Sequence, residues 1–267
     1  MDIITHTLSG VAAGTVIANV RQANLKMRVL ITAFAALGGA IPDIDVISMW
    51  SGFDSTFGEF FNLKLSGREI YSAKLWYSHH SFCHSLLGGL LFSLIAILSL
   101  HTGRKIYHFK KTKSFKNTIS KYRYVVIAFF VAFIIHISED MVTPSSGWGG
   151  VNLFWPLNYY IGGWGYTWWW NNYDIFLLIV ILLSFNLILV PFSMVYGFKM
   201  KLTSLISSLV IFFLIAFQIF NRDYNYNSNS VAFHEHEHHS FMQQQEILGD
   251  AIFLKMRWLD KKIPVYF

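Results

Sequence analysis

Six apolar stretches alternate with polar ones along the chain, at residues 3–20, 29–49, 82–100, 124–138, 174–198 and 202–220. A helix needs about 20 apolar residues to cross a hydrocarbon core of roughly 30 Å. Only helices and closed barrels satisfy their backbone in lipid, and these runs are helical in length. The pattern predicts an all-α, polytopic membrane bundle of about six transmembrane helices. Polar groups interrupt four of the six runs. Thr5-His6 sits in the first and Pro42-Asp43-Ile44-Asp45 in the second. His79-His80-Ser81-Phe82-Cys83-His84-Ser85 leads straight into the apolar run Leu86 to Leu100, and His136-Ile137-Ser138-Glu139-Asp140 ends the fourth. Ionisable groups near a bilayer are costly and need partners, so they are read first as a functional site.

Composition agrees with the membrane reading. The chain is 54% hydrophobic and only 13% charged, against about a quarter charged in soluble domains. The net charge of +6 could suggest nucleic acid, but eight of the 21 Lys and Arg residues fall between His101 and Arg123. A basic loop between apolar helices is a topology signal, and no nucleic-acid partner is expected. The single Cys83 excludes an internal disulfide and is read as a small packing residue.

Loops 21–28, 101–123 and 199–201 are basic and are expected in the cytoplasm. Six helices threaded through them leave both termini extracytoplasmic, with loops 51–81 and 139–173 on the same outer side. The first segment has no basic residue before it and three soon after, so it reads as a retained helix and not a cleaved signal. Its Gly10 and Gly14 form a small-xxx-small pattern that allows close helix approach. In the second segment about thirteen residues, roughly 20 Å of helix, precede Pro42, so Asp43 and Asp45 lie at or inside the outer boundary. Residues 143–172 are rich in Gly, Trp and Tyr without Lys or Arg, the composition of an interfacial or re-entrant lip. Residues 1–220 form the expected membrane domain. Residues 221–267 form an extracytoplasmic tail whose His234–His239 tract is taken as solvated, with metal scavenging the weaker alternative.

This parity carries His6, Asp43, Asp45, His79, His84, His136 and Asp140 to one side of the membrane. On a helix His136 and Asp140, at i and i+4, share a face. Asp43 and Asp45 would diverge on a regular helix, and a bend at Pro42 would let both face one cavity; capping a helix is their plainer role. The seven are the expected metal ligands or their immediate supports, enough for one divalent ion or two. Mixed nitrogen and oxygen donors suit zinc best, with manganese or iron possible. Such a centre activates water for attack on a phosphoester or acyl carbon. His80 and Glu139 are the catalytic candidates beside the ligands, although Glu139, about 100° from Asp140 on a helix, can also be solvated or stand behind them.

The N-terminal Met1-Asp2-x-x-Thr5-His6 with Gly10, the Pro42-Asp43-x-Asp45 turn and His79 with His84-Ser85 recur together in one known family. His136-x-x-x-Asp140, Thr143-Pro144, Gly149 or Gly150, and Trp155-Pro156 continue the set. On these motifs, over about residues 1–160, the chain resembles the bacterial membrane-bound, metal-dependent hydrolases of the YdjM-like, LexA-regulated inner-membrane type. The resemblance implies a metal-dependent hydrolase of the inner membrane and names no substrate. His80 stands where that family usually has Arg and Cys83 where it usually has Thr, and a His cannot clamp a phosphate bidentately as Arg does. The depth of the site suggests a phosphoester of a lipid or lipid-linked head group, with the site facing the extracytoplasmic side. Two other readings stay open: a non-catalytic scaffold or sensor stapled by metal, and a metal or proton transporter. The transporter is disfavoured because the inner halves of the third and fourth segments offer few polar steps.

Overall fold

The computed structural model describes residues 1–107, 114–145, 149–196, 199–227 and 231–263. Asp2 caps α1 (Ile3–Val20): its carboxylate accepts from the Thr5 backbone at 2.9 Å and the Thr5 hydroxyl at 2.8 Å. The buried side of α1 is Thr5, His6, Ser9, Gly10, Ala12, Gly14, Thr15, Ala18 and Asn19, small or polar throughout. That side lies on α2 (Leu25–Ala40) almost backbone to backbone. A Cβ on Gly10 would stand 2.4 Å from the Ala35 carbonyl oxygen, and one on Gly39 would stand 2.4 Å from that of His6. Lipid tails remove the hydrophobic drive between helices, so close packing of this kind has to hold them together.

The chain continues from α2 into a 3-10 helix, Ile41–Met49, with Pro42 in its first turn. A capped helix, α3 (Gly67–Ser72), and a 3-10 turn, Phe82–His84, precede α4 (Leu86–Tyr107). Then come α5 (Phe115–Met141), α6 (Tyr173–Tyr196), α7 (Met200–Phe220) and α8 (Phe233–Lys262). Among the described residues six helical segments are long and apolar enough to cross a membrane. The chain is an integral membrane protein, and no strand forms among the described residues. Ala18, Ile31, Ala35, Val125, Ala128 and Ala132 form a core in which α1, α2 and α5 meet. α4 flanks α5 on one side, and α6 and α7 flank α1 on the other. The innermost three helices are therefore those that carry His6, the approach to Asp43, and His136 with Asp140.

Some boundaries differ from the sequence pattern. α5 starts nine residues before the apolar run, so part of the basic stretch 101–123 is helical, and Lys110, Lys111 and Lys113 lie outside the described residues. Loop 143–172 is a packed lip pinned by two isolated bridges, Pro144 to Trp164 and Val151 to Ile161.

Residues after 220 do not trail into solvent. Asn227 accepts from the Ser145 backbone at 2.9 Å, Tyr226 donates its backbone N–H to Gly165, and α8 reaches α6. His236, Ser240 and Gln244, spaced four apart, form a buried stripe, and Gln244 accepts the Asp174 backbone N–H at 3.0 Å. His236 packs against Trp168 and receives or donates a hydrogen bond with Tyr224 at 2.8 Å. The His234–His239 tract is thus solvated only in part. The polarity that suggested solvation serves hydrogen bonds to Tyr224 and to the Asp174 backbone.

Candidate metal centre

The site begins with helix geometry. His136 and Asp140 stand one turn apart on α5, with His136 Nε2 3.0 Å from Asp140 Oδ2. Gly39, which has no Cβ to obstruct it, offers its carbonyl to His136 Nδ1 at 2.7 Å. A carbonyl only accepts, so Nδ1 carries the proton and Nε2 presents a lone pair. The 3-10 helix after Pro42 brings in the second pair. Residues i and i+2 are about 160° apart on an α-helix but about 120° apart at three residues per turn. Asp43 therefore reaches the centre, while Asp45 stays one layer behind and accepts from His79 Nδ1 at 2.8 Å. His84, at the end of the short turn before α4, completes the group and lies 3.3 Å from Asp45 through Nδ1.

Four atoms converge: Asp43 Oδ1, His84 Nε2, His136 Nε2 and Asp140 Oδ2. His84 is 3.3 Å from His136, 3.6 Å from Asp43 and 3.4 Å from Asp140. His136 is 3.5 Å from Asp43. Ligands about 2.0–2.1 Å from a tetrahedral ion stand about 3.3–3.4 Å from one another. Asp43, His84 and His136, at 3.3–3.6 Å from one another, are spaced as three ligands of such an ion, and Asp140 lies beside both imidazoles; two imidazoles with carboxylates fit zinc, manganese or iron. Asp140 Oδ2 is buried and makes no hydrogen bond, as a ligand awaiting a cation would be.

A family model described as YdjM inner membrane protein matches residues 1–225. The chain belongs to that family. No curated protein and no solved structure matches it. Asp43, His84, His136 and Asp140 all lie inside the matched span, whereas α8 lies beyond it.

Two further groups of metal-ligating atoms overlap the first in this YdjM-family chain, His79 with His80 and His84, and His6 with His136 and Asp140. His6 stacks on His136 with ring centroids 3.8 Å apart, and its Nε2 is 3.1 Å from Asp140 Oδ1. Glu139 fixes the His6 ring through Nδ1 at 2.6 Å and is itself held by the Ser9 hydroxyl at 2.5 Å. This is a carboxylate–imidazole arm of the kind that orients metal ligands. All seven expected ligands meet at one place, with Asp45 behind His79 and His84 and Glu139 behind His6. Cys83 joins none of these groups among the described residues and is half-buried.

His80 adopts φ 62°, a left-handed conformation uncommon outside glycine. Its Nδ1 donates to the Gly150 carbonyl at 3.1 Å, which turns Nε2 toward Asp140 Oδ2, 3.9 Å away. Burial, and then the adjacent His79 and His84, hold the His80 pKa well below the usual imidazole range, so this ring is neutral at neutral pH. Burial opposes charge on His84 too, but the carboxylates of Asp45, Asp140 and Asp43 outweigh it and raise its pKa well above that range.

A cavity of about 590 Å³ opens on the centre and is lined there by Asp43, His79, His80 and Asp140. Tyr71 joins that wall, stacked on His79 with centroids 4.5 Å apart; burial and then the aspartates keep its phenol protonated. Sequence reasoning passed over Tyr71, Ser9 and the carbonyls of Gly39 and Gly150. Ser9 could have been found, since it is three residues from His6 on the same helical face. Tyr71 and the carbonyls carry no such signal, because only the fold brings them near.

Proposed function

We propose that this YdjM-family protein is a membrane-embedded, metal-dependent hydrolase acting on a phosphoester of a lipid or lipid-linked substrate at the outer membrane face. The observation that carries this reading is the convergence of Asp43, His84 and His136, with Asp140 beside the two imidazoles, at the end of a cavity. When bound there, a divalent ion, zinc before manganese or iron, supplies Lewis acidity and an acidified water. The chain supplies the rest. Asp43 and Asp140 present carboxylates to the cavity, so a reacting group can approach the ion from that side. Glu139 and Asp45 keep the imidazoles turned to the centre. His80, neutral and lining the cavity, is in the form that takes up a proton, and its Nδ1–H bond to Gly150 makes Nε2 the accepting atom. The basic loops at the other end of the bundle support an extracytoplasmic site.

The test is direct. Purified full-length protein is loaded in turn with zinc, manganese or iron and incubated with a bacterial lipid extract, and head-group products are identified by mass spectrometry. A product absent from His136→Ala/Asp140→Ala supports the hydrolase, and no product with any ion refutes it. One observation favours a second reading, a metal-stapled scaffold: four protein side chains crowd the centre, the number that closes structural sites. Activity that needs His80 while metal content does not would rule that reading out.

A further inference from the structure

An ion on Asp43, His84 and His136 uses two imidazoles, yet five are buried around that point: His6, His79, His80, His84 and His136. Glu139, Asp45 and the carbonyls of Gly150 and Gly39 take up Nδ1 of His6, His79, His80 and His136 in turn. A carboxylate or a carbonyl only accepts, so in each of these neutral rings Nε2 keeps the lone pair. His6 Nε2 is the telling atom. It is buried, lies 3.1 Å from Asp140 Oδ1 and makes no hydrogen bond, although His6 is no part of that group of three. Two flanking groups account for all five rings. His79, His80 and His84 form one, and His6, His136 and Asp140 form the other; within each, one ligand atom per residue lies within 4.8 Å of the others. They share no residue, so both can be occupied together. The group of Asp43, His84 and His136 borrows one imidazole from each flank, and His136 has only Nε2 to give because Gly39 holds its Nδ1. Asp43 Oδ1, 3.6 Å from His84 and 3.5 Å from His136, stands between the flanks.

We propose that the centre loads in two mutually exclusive ways. Scarce metal puts one ion on Asp43, His84 and His136. Abundant metal puts two in place, one on His79, His80 and His84 and the other on His6, His136 and Asp140. The second mode engages His80 Nε2, the atom that takes up a proton in the hydrolase reading, and so silences the site. The inhibitory half of the proposal rests on that reading, and the ion count does not.

Manganese(II) titrated into chelator-stripped, full-length protein tests the count, because free manganese gives a sharp paramagnetic resonance signal that bound manganese loses. The wild type should bind two ions per chain at saturation, the second at least about tenfold more weakly, and the doubly loaded form should show the spin coupling of neighbouring ions. His80→Asn keeps a residue that tolerates the left-handed backbone, and His6→Phe keeps a ring against His136. Each should bind one ion, with the first affinity within about threefold of wild type. Retention of that ion also shows that the centre is folded. A count of one in the wild type, a count of two in either variant, or loss of both ions from both variants overturns the proposal. Two ions without spin coupling overturn it as well, since the second is then held elsewhere, as on the His234–His239 tract. Hydrolysis followed alongside should fall at least about tenfold between one ion and two, and unchanged hydrolysis at two ions overturns the inhibitory role. Two coupled ions with no product at any loading leave the two modes standing and fail only the hydrolase reading.

Discussion

Two polar regions are buried at opposite ends of this bundle, and their bonding differs. At the far end of α1, Asn19 donates to the Asn186 carbonyl at 3.0 Å, to its side chain at 3.0 Å and to Ser204 at 2.9 Å. Ser204 donates to Asn186 at 2.6 Å, and Arg28 donates to Asn19. Donors meet acceptors, and the network joins α1, α6 and α7. At the His6 end some acceptors are met, Glu139 by Ser9, Asp45 by His79 and Asp140 Oδ1 by the Met1 ammonium, but others are left over. Asp43, Asp45, Glu139 and Asp140 crowd four imidazoles, and no Lys or Arg forms an ion pair with them among the described residues. His6 Nε2, Asp45 Oδ2 and Asp140 Oδ2 make no hydrogen bond. Burial of polar groups alone does not separate glue from a functional site. The sign and count of the unpaired atoms do.

Removing ligands should break the contrast most strongly. His136→Ala/Asp140→Ala should lose bound metal, with affinity down at least about a thousandfold, since changes one layer further out already cost 10–100-fold. Elemental analysis of detergent-purified protein reads this out; retention of the wild-type stoichiometry would mean the acceptors are neutralised by protons and not by an ion. The supporting layer comes next. Asp45→Asn or Glu139→Gln should weaken affinity by about 10–100-fold without abolishing binding. Competition with a graded chelator measures it, and an unchanged affinity would demote both carboxylates to packing.

Legibility in the sequence divides along the same line. Candidate ligands one turn apart, such as His136 and Asp140, were readable because helical period fixes their common face. Membrane parity assigned His6, Asp43 and His84 to one side, and α1 with the two 3-10 segments, Ile41–Met49 and Phe82–His84, brings them together. The division between Asp43 at the centre and Asp45 behind it was not readable, since it depends on a tight 3-10 turn after Pro42. The role of α8 was hidden by its composition. His236, Ser240 and Gln244 look solvated as a string of polar letters, and only the fold, which sets them against Trp168, Tyr224 and the Asp174 backbone, shows why they are buried.

Protons sharpen the comparison next, because they compete for the same acceptors. His84 sits ahead of the α4 span, and its pKa is raised because Asp45, Asp140 and Asp43 outweigh burial. Metal-free protein therefore holds a proton on His84 at neutral pH, and an ion must displace it to reach Nε2. A raised pKa means that the proton is bound below it and lost above it. Metal affinity should therefore fall as pH falls, by about tenfold per unit across the neutral range. Calorimetry in buffers of different ionisation enthalpy should show about one proton released per ion; none released would place the ion away from His84.

The smallest effect is expected at the paired network. Asn19→Ala removes donors to Asn186 and Ser204 and the acceptor used by Arg28. It should cost about 1–2 kcal/mol, in line with interhelical hydrogen bonds in membranes. Reversible unfolding in detergent measures that cost, and metal content should stay at the wild-type value. The pairing of the two readouts matters because α1 carries both regions. His6 and Asn19 are thirteen residues apart, about 20 Å along the helix axis. Close packing of Gly10 and Gly39 near the His6 end fixes the ring's depth independently of Asn19. Loss of metal from Asn19→Ala would show that the far network sets that depth through α1, and the separation of glue from site would then be a property of bonding but not of function.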